Sequence, residues 1–283
     1  KGGREEEDRG ESFYPSALPR ADEFAQLNID LLGGFSARKN GHTLTEEIWR
    51  RKRTSVLAAR LTLGMGSFVD RKTLSEELWP DLDYGKSRKC LYTTLSALRS
   101  ALGQTKTGPQ YILIQADGIA LNREYIASDI WRFESLAREV LLSGSAHSLE
   151  EIVEDCLKIE QVFRGPLFVP NLGDPSYFVK MRQAYLSKFV DCMTHGVDAA
   201  LELENTTAAL WLVEAVLKYA STREDVIRSA MKTFDLCGRR REVVELYNSH
   251  LHYLEKELAC APESETRLAY ESIINRTKRM AML

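Results

Sequence analysis

The spacing of apolar residues changes near residue 123. Between Leu27 and Asn122 apolar residues fall in short runs punctuated by glycine. Beyond it they recur at three- and four-residue intervals, the signature of helices with one buried face. "LNIDLLGGFSARKNGHTLT" (residues 27–45) alternates in short runs broken at Gly33-Gly34 and Asn40-Gly41. Asn-Gly favours a tight primed turn, so the pattern predicts a small antiparallel sheet. Three helices follow. "RRKRTSVLAARLTLGMG" (50–66) is apolar at Val56, Leu57, Leu61 and Leu63 and stops at Gly64 or Gly66. "DRKTLSEELWP" (70–80) starts from Asp70 as its N-cap and stops at Pro80. In "KSRKCLYTTLSALRSALG" (86–103), Leu91, Leu95, Leu98 and Leu102 step by four, three and four and form one apolar stripe. Lys86, Lys89, Thr93, Ser96 and Ser100 fall opposite, with Arg88, Tyr92 and Arg99 on the flanks. "YILIQADGIALN" (111–122) then places two apolar runs around Asp117-Gly118, a strong hairpin signal.

Sheet, three short helices and a hairpin, in that order, make a winged helix-turn-helix. In that arrangement the third helix enters the DNA major groove and the hairpin is the wing.

The second half reads as helix after helix. The segments are "DIWRFESLAREVLL", "SLEEIVEDCLKIEQVF", "PSYFVKMRQAYLSKFVDCMTHGVDAALELE", "TTAALWLVEAVLKYA", "REDVIRSAMKTFDLCG" and "RRREVVELYNSHLHYLEKELACAP". Phe178, Met181, Tyr185, Phe189, Cys192 and Gly196 share one face of the third of these, and Gly238 marks a tight connection. Stacked helix pairs of this kind are the arrangement of a tetratricopeptide-like solenoid, and "SETRLAYESIINRTKRMA" is placed to cap the stack. The fold class is therefore mainly α with small β. The predicted divisions are a disordered lead-in or linker over 1–26, a winged-helix domain over 27–124 and an all-α, TPR-like domain over 125–283.

Charge sharpens this division. Residues 27–124 hold 15 Lys and Arg against 10 Asp and Glu, whereas residues 125–283 hold 19 against 24. The basic surplus coincides with the leucine-striped helix. The five cysteines are odd in number and scattered, without a CxxC pair, so they read as reduced thiols of a cytoplasmic protein. No run approaches the ~20 apolar residues that a membrane span needs. Enzymatic motifs such as GxxxxGK[ST], GxSxG and HExxH are missing, so neither catalytic residue nor cofactor is expected. His250 and His252 stand two apart on a helix and face different ways, which argues against a shared metal site.

The order of elements and several motifs resemble the SARP-type bacterial transcription activators, which join an OmpR-type winged helix to a bacterial transcriptional activator domain (BTAD). The resemblance is carried by "IDLLGGFSARKNGHTL", Arg53 ahead of "VLAARLTL", "LSEELWPDLD", "LYTTLSALRSALG" and "SDIWRFESL", with Asp129 and Phe133 at the family's positions. The last helices, from "MKTFDLCG" to "AYESI", are similar to the end of the activator domain. The family's usual Gly-Tyr at the wing is Gly118-Ile119 here, and Asp117 at its tip is poorly suited to lie against phosphate.

DNA binding needs cations for phosphates and side chains that reach base edges. Lys86, Arg88 and Lys89 stand at the front of the third helix, where the macrodipole also favours an anion. Tyr92, Thr93 and Ser96 lie one turn on, in reach of bases. Arg99 matches the arginine of the family's Leu-Arg pair. Arg53 closes a basic run, Arg50 to Arg53, that would solvate a bare face or meet phosphate beside a groove-binding helix. The resemblance implies an activator that binds promoter repeats of double-stranded DNA as more than one copy, a homodimer for example, with the helical domain serving self-association, contact with the transcription machinery such as RNA polymerase, or signal reception. Two rival readings remain open: a protein-interaction scaffold carried by the helical stack, or the C-terminal output half of a longer regulator.

Overall fold

Asn40 and Gly41 both take positive φ, 49° and 80°, so the chain reverses over two residues. Ser36–Lys39 (β2) thereby folds back on His42–Thr43 (β3), with Lys39 opposite His42. This turn belongs to a computed structural model that describes residues 25–49, 53–142, 147–169 and 176–280. Most of the expected lead-in, and residues 50–52 of the basic run, lie outside the described residues.

Leu27–Asp30 (β1) pairs antiparallel with β2, Asp30 lying opposite Ser36. On its other edge β1 receives Ile126–Ala127 (β7) in parallel, giving a four-stranded sheet ordered β3-β2-β1-β7. The pattern reads as helical after Asn122, so β7 is a difference from expectation. A parallel pair of two residues has no periodicity of its own, and its partner lies about a hundred residues earlier.

Glu46–Trp49 (α1) is a single turn that the pattern does not announce. It brings Trp49 edge-on to Phe35, ring centroids 5.0 Å apart. Thr54–Thr62 (α2) is shorter than predicted and every one of its nine residues is buried. It is the central rod of this half, not an amphipathic helix. Val69–Asp70 (β4) precedes Arg71–Leu78 (α3), and Asp70 caps α3 as expected, its carboxylate accepting from the Thr73 amide at 2.9 Å. Tyr84–Ala101 (α4) is the leucine-striped helix, and Leu91, Leu95, Leu98 and Leu102 are all buried against α2 and α3. Ile112–Ile114 (β5) and Gly118–Leu121 (β6) form the expected hairpin. β4 joins it to make a three-stranded sheet ordered β4-β6-β5. Two residues sufficed for that strand, too few to show alternation.

The second half is an antiparallel stack. Its helices are Asp129–Leu142 (α5), Leu149–Val162 (α6), Ser176–Glu202 (α7), Thr206–Ala220 (α8), Glu224–Leu236 (α9), Arg240–Tyr253 (α10) and Ser264–Met280 (α11). Each of α5 to α9 packs on the next, α5, α6 and α7 also pack on the next but one, and α11 covers α9. A π-helical turn over Leu254–Leu258 ends α10, and Gly238, at φ 71°, turns the chain between α9 and α10. A Cβ at Gly196 of α7 would lie 2.7 Å from the Cβ and Sγ of Cys156 and 2.9 Å from Leu212. Only glycine lets α6 and α8 approach so closely. Phe163 stacks on Phe189 at 4.0 Å, and Phe133, Tyr185 and Tyr219 surround that pair.

The two halves are sewn together at one corner. The buried Asp129 carboxylate, at the front of α5, accepts from the backbone amides of Leu31, Leu32 and Ile130 at 2.7–3.1 Å. Phe168 donates its amide to the Leu31 carbonyl, and Leu32 bridges to Leu167. Trp131 Nε1 donates to the Thr62 carbonyl at the end of α2, 2.7 Å away. Burial, followed by the nearby Asp30 charge, raises the Asp129 pKa to about 6.

Candidate nucleic-acid interface

Asp83 starts α4 by accepting from the Lys86 amide at 3.0 Å, and its own carboxyl is held below the usual range by its hydrogen bonds to Lys86. The same carboxylate meets the Lys86 ammonium at 3.0 Å, although that side chain remains 74% exposed. The front of α4 therefore carries a bound acid beside its first cation. Lys89 makes no ion pair among the described residues. Arg88, Lys89, Tyr92, Thr93 and Ser96 are all exposed, as expected of the polar face. Because the leucine stripe is spent on α2 and α3, this face is left to solvent. The solenoid does not cover it.

The individual side chains differ in what they can offer. Thr93 turns its hydroxyl back to the Lys89 carbonyl at 3.0 Å, which leaves its methyl and an oxygen lone pair outward. Arg99 occupies the last turn of α4 and is half-buried, favourably placed toward the negative end of the dipole. Arg53 takes a left-handed conformation, φ 60°, and turns its guanidinium inward. Nη1 donates to the carbonyl of Leu78, the last residue of α3. Helix ends leave such carbonyls unpaired, and a cation is well suited to close them. Arg53 also lies 6.0 Å from the Trp79 ring and, with Trp79, Lys89, Cys90 and Thr93, lines a groove of about 400 Å³ beside α4. The remaining predicted residues thus line one helix, and Arg53 joins them along this groove.

Arg71, in the first turn of α3, was not among the sequence candidates. It donates through Nη2 to the Gln115 carbonyl of the wing at 2.8 Å and through Nη1 to the Tyr92 hydroxyl of α4 at 3.3 Å. Its backbone amide donates to the Asp117 carbonyl at 2.8 Å. The wing turn is thereby tied to α3 through the Asp117 carbonyl. Arg88 lies 5.6 Å from the Tyr92 ring on the same exposed strip. Hydrogen bonding to Arg88, with a smaller contribution from Arg71, lowers the pKa of the phenol. The only signal for Arg71 in the sequence is its place directly after an N-cap, which says nothing of a partner twenty-one residues away.

Among the described residues no group of three or more His, Cys, Asp and Glu is disposed to hold a metal ion, and no helix is long and apolar enough to cross a membrane. Trp49 and Trp131 are buried packing residues.

Comparison with known proteins bears on the whole chain. The sequence model for the bacterial transcriptional activator domain matches residues 128–274, just over half of the length. Among solved structures, EmbR of Mycobacterium tuberculosis, determined in complex with a low affinity phosphopeptide, is similar with a TM-score of 0.71. The match covers 89% of this chain and 65% of that one at 19% sequence identity, so the likeness is one of fold, and this chain spans about two thirds of the other. No match is found among curated proteins.

Proposed function

The chain belongs to the bacterial transcriptional activator domain family, and from this we propose that it is a SARP-like transcription regulator that binds double-stranded DNA sequence-specifically through α4 and activates transcription. The observation that carries this reading is a helix with its leucine face buried and Arg88, Lys89, Tyr92, Thr93 and Ser96 exposed together. A helix of that shape and charge suits the major groove, with Lys86, Lys89 and Arg99 meeting phosphates and Tyr92, Thr93 and Ser96 meeting base edges. Arg53 serves α3 first and flanks the backbone through the groove it shares with Lys89. The helical stack contributes self-association at repeated sites and contact with the transcription machinery. Chemistry at this face is binding, not catalysis.

Gel-shift assays across promoter fragments test the reading. We expect one or more fragments to bind more tightly than competitor DNA. Lys89→Glu should weaken that binding at least tenfold, since it places a like charge against phosphate. With roughly four to six phosphates neutralised, log affinity should fall with log salt at a slope of about −4 to −5. Equal binding to all fragments and to competitor would remove sequence-specific recognition. Partner binding that persists in Lys89→Glu without DNA would favour the scaffold.

A further inference from the structure

Tyr92 stands on the exposed strip of α4 at 40% exposure, and two arginines address its phenol. Arg71 reaches it from α3 with an Nη1–Oη distance of 3.3 Å, and the Arg88 guanidinium, one turn earlier on α4, lies 5.6 Å from the ring. A guanidinium has five N–H donors and no acceptor. Any hydrogen bond it makes to a tyrosine must therefore use a lone pair of the oxygen. The O–H cannot point at Arg71, and with the Arg88 cation beside the ring it is left to turn outward, toward a partner outside the chain. Arg71 is not free to swing aside, because its Nη2 is held by the Gln115 carbonyl and its backbone by Asp117.

We propose that Tyr92 is a specificity-determining residue whose hydroxyl Arg71, as a positioning residue, fixes as a donor toward the base edge. The inference rests on the proposed reading of α4 as the DNA-contacting helix. In the major groove guanine offers N7 and O6 as acceptors, thymine offers O4 and adenine offers N7. Cytosine alone presents only a donor, its N4 amino group. A tyrosine free to rotate its hydroxyl satisfies either kind of edge. One whose proton is turned away from Arg71 and toward the base presents a donor there, and meets the amino group of cytosine donor to donor. Phenols made more acidic are also stronger donors, which is the direction in which Arg88 and Arg71 move this one.

Selecting a random duplex library with the full chain gives the preferred site. Affinities are then measured for each base pair at each position, using wild type, Tyr92→Phe, Arg71→Ala and Arg71→Lys. One position should disfavour cytosine on the contacted strand by about tenfold, the discrimination expected of one good base contact. Tyr92→Phe keeps the ring against both arginines and should level preference at that position alone. Arg71→Ala should restore cytosine there towards parity, and Arg71→Lys, still a donor-only cation, should retain the rejection. A merely structural role would lower affinity for all sites equally and leave base preference untouched. The proposal is overturned if Tyr92→Phe acts uniformly across bases, or if Arg71→Ala leaves cytosine rejected. A library from which wild type enriches no duplex overturns the DNA reading itself, a result distinct from either.

Discussion

The helical stack and α4 use their cations differently. In the helical stack they join elements. Arg223 ties Asp191 of α7 to Asp225 of α9, Lys188 of α7 meets Glu134 of α5, Arg228 of α9 meets Glu263, and Arg239 meets Glu214 of α8. Along α4 only Lys86 has a carboxylate, its own N-cap, while Arg88, Lys89 and Arg99 make no ion pair among the described residues. What distinguishes α4 from these helices is whether charge is answered inside the chain. The proposed function assigns the unanswered cations of α4 to an anion outside the chain, while the answered ones maintain the fold.

Substitutions can break this comparison at either end. The largest effect is expected where the stack has no slack. Gly196→Val would drive side-chain atoms into Cys156 and Leu212, already 2.7 and 2.9 Å from the position of a first Cβ. Overpacking at such a site costs about 3 kcal/mol. Urea unfolding should show that loss as a lowered midpoint. An unchanged midpoint would mean that α6, α7 and α8 are not packed as described.

Next in size is the corner that joins the halves. Asp129 has a pKa raised to about 6 from an ordinary 3.8, through burial first and the Asp30 charge second. The folded protein therefore binds a proton there that the unfolded chain releases between those values. Since stability falls with rising pH wherever the native state holds more protons, this group contributes stability below about pH 4 and loses it as pH passes 6. The amplitude is on the order of 3 kcal/mol at 1.36 kcal/mol per unit. Wild type should show that decline across pH 4 to 6, and Asp129→Asn, which cannot ionise, should flatten it. Identical pH profiles for the two would show that the carboxylate is not buried in the folded joint.

Much of this architecture is legible in the sequence, and the exceptions share a cause. The leucine stripe of α4, the Asn40-Gly41 turn, the Asp70 cap and the Asp117-Gly118 hairpin are local. Each rests on residues within a few positions of one another, and each appears where the pattern puts it. The misses are two-residue strands and long-range polar contacts. β4 and β7 are too short to alternate, and α2, buried on every side, ends at Thr62, ahead of the glycines that the pattern takes as its stop. Arg53 and Arg71 look like any surface arginine in sequence. Their partners, Leu78 and Tyr92, lie twenty-five and twenty-one residues on, and nothing in residue type or spacing announces them.

The stack's own ion pairs supply the smallest effects and the strictest test of the contrast. Arg223 makes two hydrogen bonds to Asp225 and one to Asp191, each between 2.6 and 3.1 Å. Its side chain is more than a third exposed, so screening limits what these are worth. Arg223→Ala should cost about 1 kcal/mol of stability and leave DNA affinity unchanged, the reverse of Lys89→Glu. Arg241 pairs with Glu245 one turn along α10 at 2.6 Å, but with its side chain 88% exposed. Exposed pairs at that spacing contribute about 0.3–0.5 kcal/mol. Arg241→Ala should therefore barely move the urea midpoint and should not alter the salt slope of DNA binding. If Arg241→Ala flattened that slope as Lys89→Glu does, an answered cation would be acting as an unanswered one. Internal pairing would then be no guide to which cations meet the anion.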